Sequence, residues 1–162
     1  MNDKSQVLGD LDELNAHIAM VRALWRDCPG ADAIPPDYFG PPLYYEWFSL
    51  GIMLQEIQQN LMDISSIIAS GDNFFNPVWI EKIENQIDRF TLLLPPLTKF
   101  VIPSGNKLNA SIHITRAVCR RAERVIEPGC LYHVYLNRIS DYLFMVSRFV
   151  CMSLGIDEDF KK

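Results

Sequence analysis

The chain has 162 residues, 49% of them hydrophobic and 22% charged, with 15 basic against 20 acidic side chains for a formal charge of −5. This is material for one domain over residues 1–162 with a sizeable core, and it excludes a disordered tail, a collagen-like fibre and a disulfide-dense miniprotein. No apolar run reaches the roughly 18 residues a membrane span needs, and the acidic balance argues against a nucleic-acid or anionic-membrane binder held by counterion release.

Four scattered cysteines (Cys28, Cys119, Cys130, Cys151) form no C-x-x-C pair, and no secretory signal opens the sequence. A reduced intracellular compartment is the expectation, with each cysteine a small hydrophobe and not a ligand.

From Val7 the residues Val7, Leu11, Leu14, Ile18, Val21 and Trp25 step by three and four, the stripe of an amphipathic first helix that ends near Cys28-Pro29-Gly30. Pro29 to Pro42 holds five prolines and two glycines and reads as a loop. A second helix runs from about Leu43 to Ala69, with Leu50, Met53, Leu54, Ile57, Leu61, Ile64 and Ile68 on one side. Asp72 and Asn73 mark a turn. A third helix spans about Pro77 to Leu94, with Asn76 its N-cap and Pro95-Pro96 its stop. The segment Phe100-Val101-Ile102-Pro103-Ser104-Gly105 reads as a structured loop. A fourth helix runs from Lys107 to about Glu127, ahead of Pro128-Gly129, and a fifth from about Leu131 to Leu154. Strand-like alternation occurs nowhere, so the expected fold is an all-α bundle of five helices.

The fourth helix carries the chemistry. At about 100° per residue, His113, Arg116, Arg120, Glu123, Arg124 and Glu127 share roughly one third of the circumference. Leu108, Ile112, Val118, Cys119, Ala122, Val125 and Ile126 face the other way, with Thr115 the one polar residue among them. Arginines at i, i+4 and i+8 repel one another unless anions lie beside them. A phosphate chain gripped by guanidinium forks would serve, and so would carboxylates from other helices. The plain alternative is a solvated face with Glu123 and Glu127 as internal partners. In the fifth helix Asn137, Asp141 and Arg148 form a weaker polar line, suited to a site or to an interhelix network. Asp10, Asp12 and Glu13 cluster near the start of the first helix, where they serve either its dipole or a partner. The three histidines (His17, His113, His133) lie on separate helices and read as polar-face residues, not a metal set. No Glu-x-x-His pair, G-x-S-x-G, Walker loop or G-x-G-x-x-G is present.

Three blocks carry a resemblance. Phe100-Val-Ile-Pro-Ser-Gly-Asn-Lys107 followed by Ser111-Ile-His-Ile-Thr-Arg-Ala-Val-Cys-Arg-Arg-Ala-Glu-Arg124 is similar to the signature of the PduO-type ATP:cob(I)alamin adenosyltransferases. Tyr135-Leu-Asn-Arg-Ile-Ser-Asp-Tyr-Leu-Phe144 resembles that family's second C-terminal motif, and Gly9-Asp-Leu-Asp-Glu-Leu-Asn15 its early helix motif. With Leu94-Pro-Pro-Leu97, the resemblance covers nearly the whole chain in order. It implies a ferritin-like five-helix bundle of the cobalamin-adenosyltransferase type, assembled as a homotrimer with active sites between subunits. Its substrates would be ATP with Mg2+ and cob(I)alamin, its products adenosylcobalamin and triphosphate. The absence of a protein nucleophile then has a reason, because reduced cobalt attacks C5′ and the protein positions two ligands and stabilises charge.

Carried over position by position, Arg120, Arg121, Ala122, Glu123 and Arg124 match the family's ATP-binding stretch, and Asn137 its ATP-contacting asparagine. Arg120 would stabilise the departing triphosphate. Asp12 and Arg116 match a charge pair bridging adjacent subunits. Phe100 matches the aromatic that crowds the lower face of the corrin and excludes its axial base. A reductase supplying cob(I)alamin is the implied partner, with neither nucleic acid nor membrane involved.

The resemblance also sets out departures. The family opens with a phosphate loop of the T-x-x-G-D-x-G type and a nearby lysine, whereas this sequence starts at Met1-Asn-Asp-Lys4, just before the first helix motif. The expectation is therefore an N-terminally short form of the enzyme or, alternatively, a non-catalytic corrinoid-binding homologue. The matching location is cytoplasmic, or the mitochondrial matrix where a targeting segment preceded the same region. Asn106 stands where a second glycine is common.

Overall fold

The computed structural model describes residues 4–28, 43–72 and 74–161. The proline-rich stretch Pro29–Pro42 and the turn residue Asn73 lie outside them. The stripe read from the sequence makes the first helix amphipathic: Val7, Leu11, Leu14, Ile18 and Val21 are all buried along α1 (Lys4–Arg26). The same logic holds for α2 (Leu43–Ser70), where Leu50, Met53, Leu54, Ile57, Leu61 and Ile64 enter the core. Gly51 has a specific task on this helix, because a Cβ there would lie 2.6 Å from the Trp25 ring and would force the indole to shift.

The N-cap of α3 (Val78–Leu93) is Pro77 and not the expected Asn76, which stands one residue earlier and still accepts from the Val78 N–H on its Oδ1 at 3.1 Å. The fourth helix, α4 (Lys107–Val125), stops two residues before the expected end. Ile126 is already extended at φ −90° and ψ 149°, and its side chain turns into the core. Pro128 disfavours helical geometry at the residue before it and has no N–H to continue the ladder. The last helix is α5 (Leu131–Ser153).

Two further expectations need correction. The segment after Phe100 contains a strand: β1 (Val101–Ile102) pairs antiparallel with β2 (Asp159–Phe160), in the register Val101↔Phe160 and Ile102↔Asp159. Two residues cannot display alternation, and the partner strand lies at the far end of the chain, so no local signal announced the pair. His113 is the second. It is not a polar-face residue, being only 7% exposed.

Among the described residues α1, α2, α5 and α4 form a closed ring of neighbours around one core, with α4 between α1 and α5, and α3 docked on α5. Thr115 is accommodated in this core by donating its hydroxyl to the Ser111 carbonyl at 2.8 Å. The ring matters for function because it presses α4 and α5 together along their length.

Candidate functional site

Where α4 meets the first turns of α5, Glu123 is a hub. Its carboxylate is 4% exposed, and such a charge persists in a core only with donors around it. One oxygen, Oε2, is paired with Arg120 Nη1 at 2.6 Å. The other accepts from Asn137 Nδ2 at 3.0 Å and lies 3.7 Å from His133 Nε2. Arg120 and Glu123 are one turn apart on α4, while His133 and Asn137 are one turn apart on α5, so the cluster spans the helix seam. Arg120 remains 42% exposed, so the side chain is open to solvent while Nη1 rests against the buried carboxylate. The sequence reading missed His133, although its i, i+4 spacing to Asn137 places the two on one face of α5.

The remaining arginines separate. Arg121 leaves this cluster and binds α1, its Nε pairing with Asp10 at 3.2 Å and an Nη with Glu13. The Glu13 contact raises the Arg121 pKa, and the same hydrogen bond lowers that of Glu13. Two members of the acidic cluster on the first helix thus have a partner within the chain. Arg124 is exposed and pairs with no acid among the described residues, while Ala122 is fully buried in the core. Asp12 is exposed, and it forms no ion pair with Arg116 within the chain. The Arg116 guanidinium instead sits 5.9 Å from the centre of the Phe144 ring, and its Nε is buried without a hydrogen-bond partner among the described residues. The polar line of α5 resolves into three separate pairings: Asn137 with Glu123, Asp141 with Arg138 at 3.0 Å, and Arg148 with Glu158 at 3.1 Å.

At the other end of α4 stands Phe100, 80% exposed on the approach to β1. Its loop is tied down behind it. Gly105 has φ +93°, a conformation open to glycine, and Asn109 Nδ2 donates to the Ser104 carbonyl at 2.8 Å. Asn106 needs no such freedom. Its φ is −88°, and its side chain caps α4 by accepting from the Asn109 N–H at 2.9 Å, which satisfies a donor of the first turn.

Between these two ends lies His113, whose ring nitrogens are both buried without a hydrogen-bond partner among the described residues. Burial lowers its pKa, Arg116 lowers it further, and Glu158 opposes them. The folded chain therefore holds a neutral imidazole that the unfolded chain protonates more readily. This contribution to stability is present above the unfolded value of about 6.5 and is lost as pH falls below it. The expected result is a melting temperature that drops between pH 7 and pH 5, with a shallower drop in His113→Gln. Identical pH slopes in the two proteins would rule this origin out.

Cys119, the thiol nearest this seam, donates to the Leu136 carbonyl at 3.2 Å, and full burial pushes its pKa far above the ordinary thiol range. It is no nucleophile.

The fold and site together define a class: a helical bundle with an arginine-bearing helix edge beside a buried carboxylate, and an exposed aromatic at the opposite end of the same helix. The chain matches the family model described as cobalamin adenosyltransferase over residues 2–150, and it belongs to that family. It is 38% identical over 122 residues to the human corrinoid adenosyltransferase MMAB, covering 65% of this chain and 49% of that protein. It is 30% identical over 149 residues to the cobalamin adenosyltransferase of Cupriavidus metallidurans, covering 87% and 71%. The chain spans about half the length of the mammalian relatives it matches. Among solved structures it is similar to a variant PduO-type ATP:co(I)rrinoid adenosyltransferase from Lactobacillus reuteri complexed with ATP, with a TM-score of 0.76 at 25% identity over 99% of this chain and 89% of that one. Another variant of that enzyme, complexed with cobalamin and ATP, superposes with a TM-score of 0.72 at 25% identity over 99% and 87%.

Proposed function

We propose that the chain transfers the 5′-deoxyadenosyl group of ATP, taken up with Mg2+, to the cobalt of cob(I)alamin and releases triphosphate. The reaction forms a bond from cobalt to C5′ and breaks the C5′–O bond, and the electron pair of that bond leaves on the triphosphate. The observation that carries the reading is the Glu123 hub, which fixes Arg120 and Asn137 toward one spot on the α4/α5 seam. A guanidinium held in this way costs little reorganisation when negative charge develops beside it. Arg124, without an acidic partner among the described residues, adds positive potential on the same helix edge. In this reading Phe100 lies against the lower face of the corrin and keeps the axial base away.

The site is completed by a second copy of the chain in a homotrimer. What supports this is that Asp12 and Arg116 are both without an ion-pair partner among the described residues, and a carboxylate from a neighbour would satisfy the buried Arg116 Nε.

Anaerobic incubation of the chain with cob(I)alamin and MgATP is expected to give the absorption change of adenosylcobalamin. Tight corrinoid binding with neither turnover nor ATP affinity would replace this reading with that of a corrinoid-binding homologue.

A further inference from the structure

The backbone on both sides of Phe100 is held by one side chain. Arg148, on the last turns of α5, is 6% exposed. Its Nη2 donates to the Pro95 carbonyl at 2.9 Å, and its Nε donates to Glu158 Oε1 at 3.1 Å. Pro95 opens the segment that leads to Phe100. Glu158 immediately precedes β2, which pairs with the two residues after Phe100, and the next N–H along, that of Lys161, donates to the Phe100 carbonyl itself at 2.9 Å. The C-terminal strap thus completes the ladder on which the ring is mounted.

Such a ladder cannot hold itself. A two-stranded ribbon of two residues per strand is unstable in water without something to anchor it. Packing anchors it only in part, since a cavity of about 440 Å³ opens between Pro95, Arg148, Met152, Glu158 and Phe160. The strap turns away from α5 at Gly155, with φ +64°. Past the Ile156 N–H, which donates to the Cys151 carbonyl at 2.8 Å, the Arg148 to Glu158 pair is the polar tie between strap and helix among the described residues.

We infer that Arg148 and Glu158 are positioning residues for Phe100, and through it for the axial face of the bound corrinoid. This rests on the proposed reading of Phe100. With the tie intact the ring is held over one position. With the tie cut the strap moves into the cavity, β1 loses its partner, and the axial base regains access to cobalt. ATP affinity is unaffected, because the Glu123 hub lies at the other end of α4.

The test uses Glu158→Gln, Arg148→Lys and Arg148→Met beside Phe100→Ala. Glu158→Gln lies outside the helical core and leaves the helices intact should Arg148→Met fail to fold. The first measurement is hydrogen exchange without ligand. Faster exchange across residues 98–103 and 156–161 in Glu158→Gln, with unchanged protection of α4, is expected. Unchanged protection of both segments would overturn the inference whatever Phe100 does.

The second measurement is the electron paramagnetic resonance spectrum of cob(II)alamin bound with MgATP. Loss of one partly buried ion pair is expected to lower the ratio of base-off to base-on corrinoid by about fivefold. Arg148→Lys, which keeps the charge but cannot bridge both acceptors, is expected to fall between. A shift in Phe100→Ala but in none of the tie variants overturns the inference and leaves the reading of Phe100 standing. No shift even in Phe100→Ala overturns both.

Discussion

Arg120→Ala is expected to lower kcat/KM for adenosyl transfer by about a hundredfold or more, the scale on which one preorganised donor to developing charge acts. The structure shows why the substitution has two consequences. Arg120 is paired with Glu123 at 2.6 Å, so its removal takes away both a donor to the leaving triphosphate and the strongest partner of a buried carboxylate. Because the guanidinium is half exposed, the stability cost is discounted to about 1–2 kcal/mol, below that of breaking a fully buried pair. Arg120→Lys separates the effects. It retains a cation near Glu123 but lacks the fork that grips phosphate oxygens, so most of the stability should return without the rate. Anaerobic steady-state kinetics and thermal melts on the same samples check both. Full activity in Arg120→Ala would remove Arg120 from the site.

Glu123→Ala is expected to match the activity loss of Arg120→Ala and to cost stability at the upper end of that variant's range. It leaves Arg120 and Asn137 without their shared acceptor and opens a void at a position only 4% exposed. A loss of about 2 kcal/mol in stability should accompany a loss of about a hundredfold in turnover. Glu123→Gln is the informative companion. Its amide oxygen still accepts from Asn137, while its charge no longer holds Arg120, so stability should fall little and activity by about tenfold. The coupling can be measured by a double-mutant cycle between Glu123→Gln and Asn137→Ala. Additive effects of the two substitutions would mean that Glu123 does not act through Asn137. Equal activity of Glu123→Gln and the parent protein would mean that the charge of the hub has no part in catalysis.

The helices were legible because each buries a stripe whose spacing follows from 3.6 residues per turn. The spacing from Val7 to Trp25 and from Leu50 to Ile68 is enough to place both stripes on core faces. Stops were legible where proline acts locally, as at Pro95-Pro96 just beyond α3. The end of α4 was less so, since Ile126 leaves the helix for a tertiary reason, its burial in the core.

The charged face of α4 shows where local reading stops. Helical angles grouped His113, Arg116, Arg120, Glu123, Arg124 and Glu127 as one strip. The bundle divides that strip according to what packs against each residue. His113 and Glu123 are buried, Arg120 is half exposed, and Arg124 is open to water. Arg121, adjacent in sequence to Arg120, is claimed by Asp10 and Glu13 of α1.

The sequence by itself determined that this chain forms five helices, that its arginines concentrate on one of them, and which family its motifs resemble. Periodicity, helix stops and motif order are written in residues near one another along the chain. Only the tertiary structure decided that Glu123 joins Arg120 to Asn137 and His133, and that the C-terminal strap closes on the backbone of Phe100. Those contacts join residues far apart in sequence. A carboxylate becomes a hub only when a neighbouring helix removes water from it, and a two-residue strand exists only when its partner is brought alongside.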